Sequence, residues 1–171
     1  TDSSGTNSPD WTVTSGSLSV DANTALTSSP VFRVVTNRND FKDVAVNFKL
    51  RNQGLSSTGS TPAVAWDGVH VFLRYQSEYS LYYASVNRRD NKVIIKKKVP
   101  GGPSNGGTYY DLGSSKPFTV PYNQWLDVRA EVKTETNGTV SIKLFGNNVL
   151  LISAIDNGSI GGAPILAAGK T

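Results

Sequence analysis

The sequence predicts an all-β protein built as an antiparallel β-sandwich, and three observations carry that expectation. Almost every apolar run is short, rich in β-branched and aromatic residues, and bounded by Gly, Pro, Asn or Asp. Several runs alternate apolar and polar side chains strictly, which is the period of a strand with one face buried. No segment holds an apolar stripe at helical spacing for three turns. At 171 residues the chain fits one domain, long enough to bury a core without staples.

The elements follow in order. Thr1 to Asp10 is polar and is expected to be a flexible leader, leaving 11–171 as the domain. Short strands are expected at Trp11–Thr14, Ser17–Val20 and Val31–Thr36. Val44, Val46, Phe48 and Leu50 alternate with Ala45, Asn47, Lys49 and Arg51, so 44–51 reads as a half-buried strand. Asn52 to Pro62 is a Gly/Ser/Thr loop. Asp67 to Val99 then reads as three consecutive strands whose outward positions carry most of the usable chemistry. Over 69–75, alternation places Val69, Val71, Leu73 and Tyr75 on one face and His70, Phe72 and Arg74 on the other. Leu81 to Asn87 carries Tyr82 and Tyr83 on opposite faces, and beyond the polar turn NRRDN the residues Lys92, Lys96 and Lys98 share a face.

The stretch Pro100 to Gly107 holds two prolines, which cannot donate ladder bonds, and four glycines, which resist ordering. It is expected to be an irregular loop of the kind that edges a binding cleft. Later, Val128, Ala130 and Val132 point one way and Asp127, Arg129, Glu131 and Lys133 the other. Glu135–Gly138 turns this strand into Val140, Ile142 and Leu144, and Gly146-Asn147-Asn148 turns into Val149–Ala154.

Composition narrows the function. The chain has no cysteine and one histidine, which excludes disulfides, thiolate metal sites and a centre built from several imidazoles. The absence of methionine means that Thr1 is not a translation start, and removal of a signal peptide from a secreted protein is the expected reason. High Ser, Thr, Asn and Gly content suits an extracellular location, and Asn137-Gly138-Thr139 and Asn157-Gly158-Ser159 are formal glycosylation acceptors. No apolar run approaches the ~20 residues that span a bilayer. A net charge of +4 favours anionic partners. Nucleic acid is a poor candidate, because no recognition helix or RNA-binding aromatic motif is present, and an acidic polysaccharide fits better.

Four segments carry a family resemblance: W-x-V-x-x-G-x-L at Trp11–Leu18, G-V-H-V-F-L-R-Y at Gly68–Tyr75, W-x-x-V-R-A-E-V at Trp125–Val132 and T-V-S-I-K-L-F-G-N-N at Thr139–Asn148. In that order they resemble the laminin-G-like branch of the concanavalin A-like lectin/glucanase superfamily. The resemblance covers nearly the whole chain. It implies a jelly roll of two curved antiparallel sheets with ligand on the concave face or rim loops, in lectins, carbohydrate-binding modules, hydrolases and polysaccharide lyases. It would put His70, Arg74 and the neighbouring tyrosines on or near the concave sheet. Similar domains end in a further strand reading like G-x-x-G-I-R-x-D-N, whereas this chain stops at Gly169-Lys170-Thr171. A missing closing strand is therefore expected, its groove filled by residues 1–10, a neighbouring copy or a ligand peptide. The open edge is the motive for a homo-oligomer, and for a rival reading as a self-assembling structural subunit.

The site residues follow from chemistry. The closely spaced acidic triplet of jelly-roll glucanases is absent, and the three glutamates, Glu78, Glu131 and Glu135, do not replace it. A uronate lyase needs a cation for the carboxylate, a base and an acid, and His70, Arg74, Tyr82 and Tyr83 are residues of those types. A binding module would instead use His70, Arg74, Tyr75, Gln76, Tyr79, Tyr83 and Lys96, with tyrosines stacking on sugar rings and Arg74 gripping a carboxylate. The binding module is the preferred reading and the lyase its alternative. No cofactor is expected, apart from a weaker candidate calcium site at Asp40 and Asp43.

Overall fold

A computed structural model describes residues 8–21 and 24–171 and is all-β, with no helix among the described residues. Its strands are β1 (Trp11–Ser15), β2 (Ser19–Asp21), β3 (Thr24–Leu26), β4 (Arg33–Thr36), β5 (Val44–Arg51), β6 (Val69–Ser77), β7 (Ser80–Val86), β8 (Lys92–Ser104), β9 (Gly107–Asp111), β10 (Lys116–Pro117), β11 (Trp125–Thr134), β12 (Val140–Gly146) and β13 (Val149–Asp156). One antiparallel sheet runs β10-β8-β7-β6, with β9 also on β8, and a second runs β13-β12-β11-β5. The pairs β1-β4 and β2-β3 complete the set.

The two larger sheets face each other across one core. Val71, Leu73, Tyr82, Ala84, Val86, Val93 and Ile95 of the first meet Leu126, Val128, Ala130, Val132, Ile142, Leu144 and Ile152 of the second. The alternation read in β5, β11 and β12 is the alternation observed, because each strand has one solvated face and a one-residue slip would turn its whole apolar row outward. The stretch Pro100–Gly107 is more regular than expected. The β8–β9 ladder continues to Pro100 pairing Gly107 and breaks register only between Pro100 and Ser104, where positive φ at Gly101 and Gly102 bends the strand.

Two expectations about the ends of the chain change. Residues 1–7 of the expected leader lie outside the described residues, but its last residues are tied down. The Asn37 backbone N–H donates to the Asp10 carbonyl at 2.7 Å, and its Nδ2 donates to the Ser8 and Pro9 carbonyls. The edge expected to lack a strand is filled by the chain's own C-terminal residues. Gly169 pairs with Phe41 and Lys170 with Tyr75, and the Thr36 N–H donates to the Thr171 carbonyl at 2.9 Å. Residues 169–171 thus lie between β6 and the 36–41 segment and join the β1–β4 ribbon to the five-stranded sheet.

Two buried cations hold the stretch before it, residues 162–165. Arg74 is fully buried and donates to the Lys42 and Ile165 carbonyls (2.8 and 2.6 Å), to Asp43 Oδ1 (2.8 Å) and to Thr134 Oγ1 (2.7 Å). Lys97 is fully buried too, 2.9 Å from Asp156, and its Nζ donates to the Gly162 and Ala163 carbonyls. Tyr82 Oη donates to Asp156 at 2.6 Å and accepts from the Ile165 N–H at 2.8 Å. Backbone carbonyls with no ladder partner are thereby satisfied by side chains, as buried polar groups require.

Candidate functional site

The site is assembled on the outward face of the five-stranded sheet by cross-strand register. His70 stands opposite Ser85, Phe72 opposite Tyr83, Tyr83 opposite Lys96, Lys96 opposite Asp111, and Lys98 opposite Tyr109. Neighbouring strands lie about 4.8 Å apart, so these side chains touch. The His70 and Tyr83 ring centres are 5.1 Å apart, and Tyr83 meets Tyr109 edge-on at 5.4 Å. With Trp66 from the preceding loop and Ser104 from the β8–β9 hairpin, His70, Phe72, Tyr83, Lys96 and Tyr109 line a cavity of about 380 Å³. That is near the small end of ligand pockets, roughly 300–1,000 Å³.

The electrostatics keep this cavity close to neutral. Burial, reinforced by the positive charges of Arg88 and Lys96, drives the His70 imidazole down from 6.5 to about 4, so it is uncharged at neutral pH. Its Nδ1 lies 2.7 Å from Ser85 Oγ. Burial also raises the Tyr83 phenol well above its ordinary value, which keeps it protonated. Lys96 is paired with Asp111 at 2.9 Å. The Lys98 ammonium, pushed down by burial, donates to the Glu78 carbonyl and sits 4.7 Å over the Tyr109 ring. The arrangement therefore offers aromatic faces, a neutral imidazole and phenol, a hydroxyl and the Lys96 ammonium, whose side chain is 21% exposed.

Of the residues the sequence singles out, His70, Tyr83 and Lys96 come together here. Arg74 does not. The β6–β7 ladder opens between Leu73 and Ser77, Arg74 takes a left-handed φ of 50°, and its side chain goes into the interior instead of sharing the face of His70. The same break puts Tyr75 on the outward side, stacked on Phe72 at 5.4 Å, rather than with the core row. Gln76 is spent on the tail, its Nε2 donating to the Ala168 carbonyl at 2.7 Å. Tyr79 packs at the β6–β7 turn beside Gly107, and Tyr82 lies in the core. Tyr82 is thus enclosed, contrary to its expected place among accessible lyase groups.

The candidate calcium carboxylates are engaged separately. Asp43 Oδ1 accepts from Arg74 and from the Thr134 N–H, and Asp40 is chelated by Arg38 at 2.7 Å. Each carboxylate already faces a guanidinium.

Reading the sequence alone misses Trp66, Phe72 and Ser104 as lining residues. An exposed tryptophan in an Ala/Pro/Gly loop was the available signal for Trp66. Ser104 reaches the cavity only because the hairpin folds over the sheet, which no local pattern encodes. Compared with protein-family models, with curated proteins and with solved structures, the chain shows no match.

Proposed function

We propose that the protein is a secreted carbohydrate-recognition domain that binds a saccharide in the cavity between Trp66, His70, Tyr83 and Tyr109. The observation that carries this reading is the convergence of four aromatic rings and a few uncharged polar groups in one small cavity on a rigid sheet. Apolar C–H faces of sugars stack on aromatic rings, while hydroxyls pair with neutral donors and acceptors such as His70, Tyr83 and Ser104. The resemblance to laminin-G-like jelly rolls supports the same reading, as do the paired antiparallel sheets and the C-terminal return beside β4. Titration calorimetry against a panel of oligosaccharides tests it. Trp66 is 59% exposed, so Trp66→Ala is expected to weaken binding about tenfold, or roughly 1.4 kcal/mol, with Tyr122→Ala unchanged as control. Equal affinity of the two variants would reject this cavity.

The second reading, a uronate lyase, is favoured by one feature, a neutral imidazole beside a protonated phenol. It needs a cation to neutralise the uronate carboxylate, and Arg74 is committed elsewhere. Ultraviolet absorbance of unsaturated products released from uronate polymers distinguishes the lyase from the binding module.

A further inference from the structure

We propose that the outward face of the four-stranded sheet holds a second ligand site, in which Arg129 takes the carboxylate of an acidic sugar residue. It lies on the opposite side of the sandwich from the Tyr83 cavity and does not depend on the reading of that cavity.

The site starts from register. Trp125 pairs with Arg51, Asp127 with Lys49, and Arg129 with Asn47 on one side and Phe145 on the other. Between these strands and the β12–β13 turn is a cavity of about 300 Å³, lined by Asn47, Lys49, Asp127, Arg129 and Asn148. The Arg129 guanidinium lies over the Phe145 ring, its carbon 3.9 Å from the ring centre. One nitrogen, Nη1, is 3.2 Å from Glu131, while Nε has no acceptor among the described residues. A carboxylate accepting from the solvent-facing part of the guanidinium, whose side chain is 38% exposed, gains a charge-assisted hydrogen bond, and the stacked, pre-oriented group loses little freedom in the process.

The surroundings suit a hydroxylated anion. Asn147 and Asn148 both adopt left-handed φ, of 50° and 62°, and Asn147 Oδ1 accepts the Asp127 N–H at 3.0 Å, so the turn that presents Asn148 is fixed. The Lys49–Asp127 pair at 3.0 Å and the amides of Asn47 and Asn148 offer donors and acceptors suited to sugar hydroxyls. Beyond them, Trp125 is 49% exposed with Arg51 over its ring, a flat surface two strand positions from Asp127. Across this face and its adjoining turn Lys49, Arg51, Arg129, Lys133 and Lys143 outnumber Asp127, Glu131 and Glu135, so the field draws anions here.

Calorimetry of the full chain with trigalacturonate, and with a neutral trisaccharide of the same length, tests the proposal. The wild type is expected to bind trigalacturonate at Arg129, and Arg129→Gln to lose that event by tenfold or more. Arg129→Lys keeps the charge without the planar fork and is expected to lose nearly as much. Asn148→Gly, which suits the left-handed backbone, should weaken the same event several-fold and serves if Arg129→Gln does not fold. Loss on Trp66→Ala with Arg129→Gln and Asn148→Gly unchanged would leave the Tyr83 cavity standing and overturn this site. Loss confined to the Arg129 and Asn148 variants would do the reverse. Absence of trigalacturonate binding by the wild type, or equal binding of the neutral sugar through Arg129, overturns the proposal.

Discussion

His70 and Arg74 sit four positions apart on one strand, yet one is a half-buried cavity residue and the other a fully enclosed clamp. The difference has energetic consequences. Arg74→Ala removes every donor to the Lys42 and Ile165 carbonyls and to Asp43 that the guanidinium supplies, and is expected to cost about 3–5 kcal/mol, read as a fall in the urea midpoint. Lys133→Ala removes the same charge from a side chain 67% exposed and should cost under about 0.5 kcal/mol. Similar midpoints for the two would mean that Arg74 does not hold the tail. His70 makes a pH prediction. Its folded pKa is about 4 against 6.5 when free, so the unfolded chain binds the extra proton first. Stability is full above pH 6.5 and falls as pH drops toward 4. Between pH 6.5 and 5, above the range of the carboxylates, this single imidazole accounts for roughly 2 kcal/mol of loss, which His70→Asn should abolish in urea titrations at the two pH values.

At the scale of elements, the tail and the edges decide how the sheets end. Gly169 fits between Phe41 and β6 because it has no side chain. A Cβ there would meet the Arg74 backbone carbon at 2.6 Å and the Tyr75 carbonyl oxygen at 2.7 Å. Gly169→Val is therefore expected to expel residues 169–171, lower stability by about 1–3 kcal/mol and free the edge of β6, visible as self-association on gel filtration. A variant that stays monomeric with wild-type stability would show that this pairing contributes little. A second edge, β13, carries Val149, Leu150 and Ile155, all exposed, and no charge before Asp156. Ile155→Lys should raise the concentration at which the protein aggregates on heating, since a lysine on an edge opposes strand pairing.

For the whole molecule, the ion pair of Lys97 and Asp156 connects the two sheets, β8 to β13, and with Tyr82 it binds residues 162–165. Lys97→Met leaves a buried carboxylate without its cation and is expected to cost about 3–5 kcal/mol, whereas Lys97→Met with Asp156→Leu should recover part of that loss, since an apolar pair needs no desolvated charge. Thermal unfolding of the single and double variants measures both, and a double variant no more stable than the single would refute the pairwise account.

The strands β5, β11 and β12, their facing directions and the turns between them are legible in the sequence, because burial on one face imposes a period of two that no other structure satisfies. So are His70, Tyr83 and Lys96, which follow that period without interruption. What only the tertiary structure decides lies where the period breaks or where distant segments meet. The irregular opening after Leu73 turns Arg74 inward. Lys97, in a run of lysines, is drawn into the core by a carboxylate 59 positions away, and the last three residues close an edge that local pattern leaves vacant. Alternation is a local consequence of backbone geometry, whereas the pairing of a buried charge or an unbonded edge depends on which remote group arrives there, and chain order alone does not carry that information.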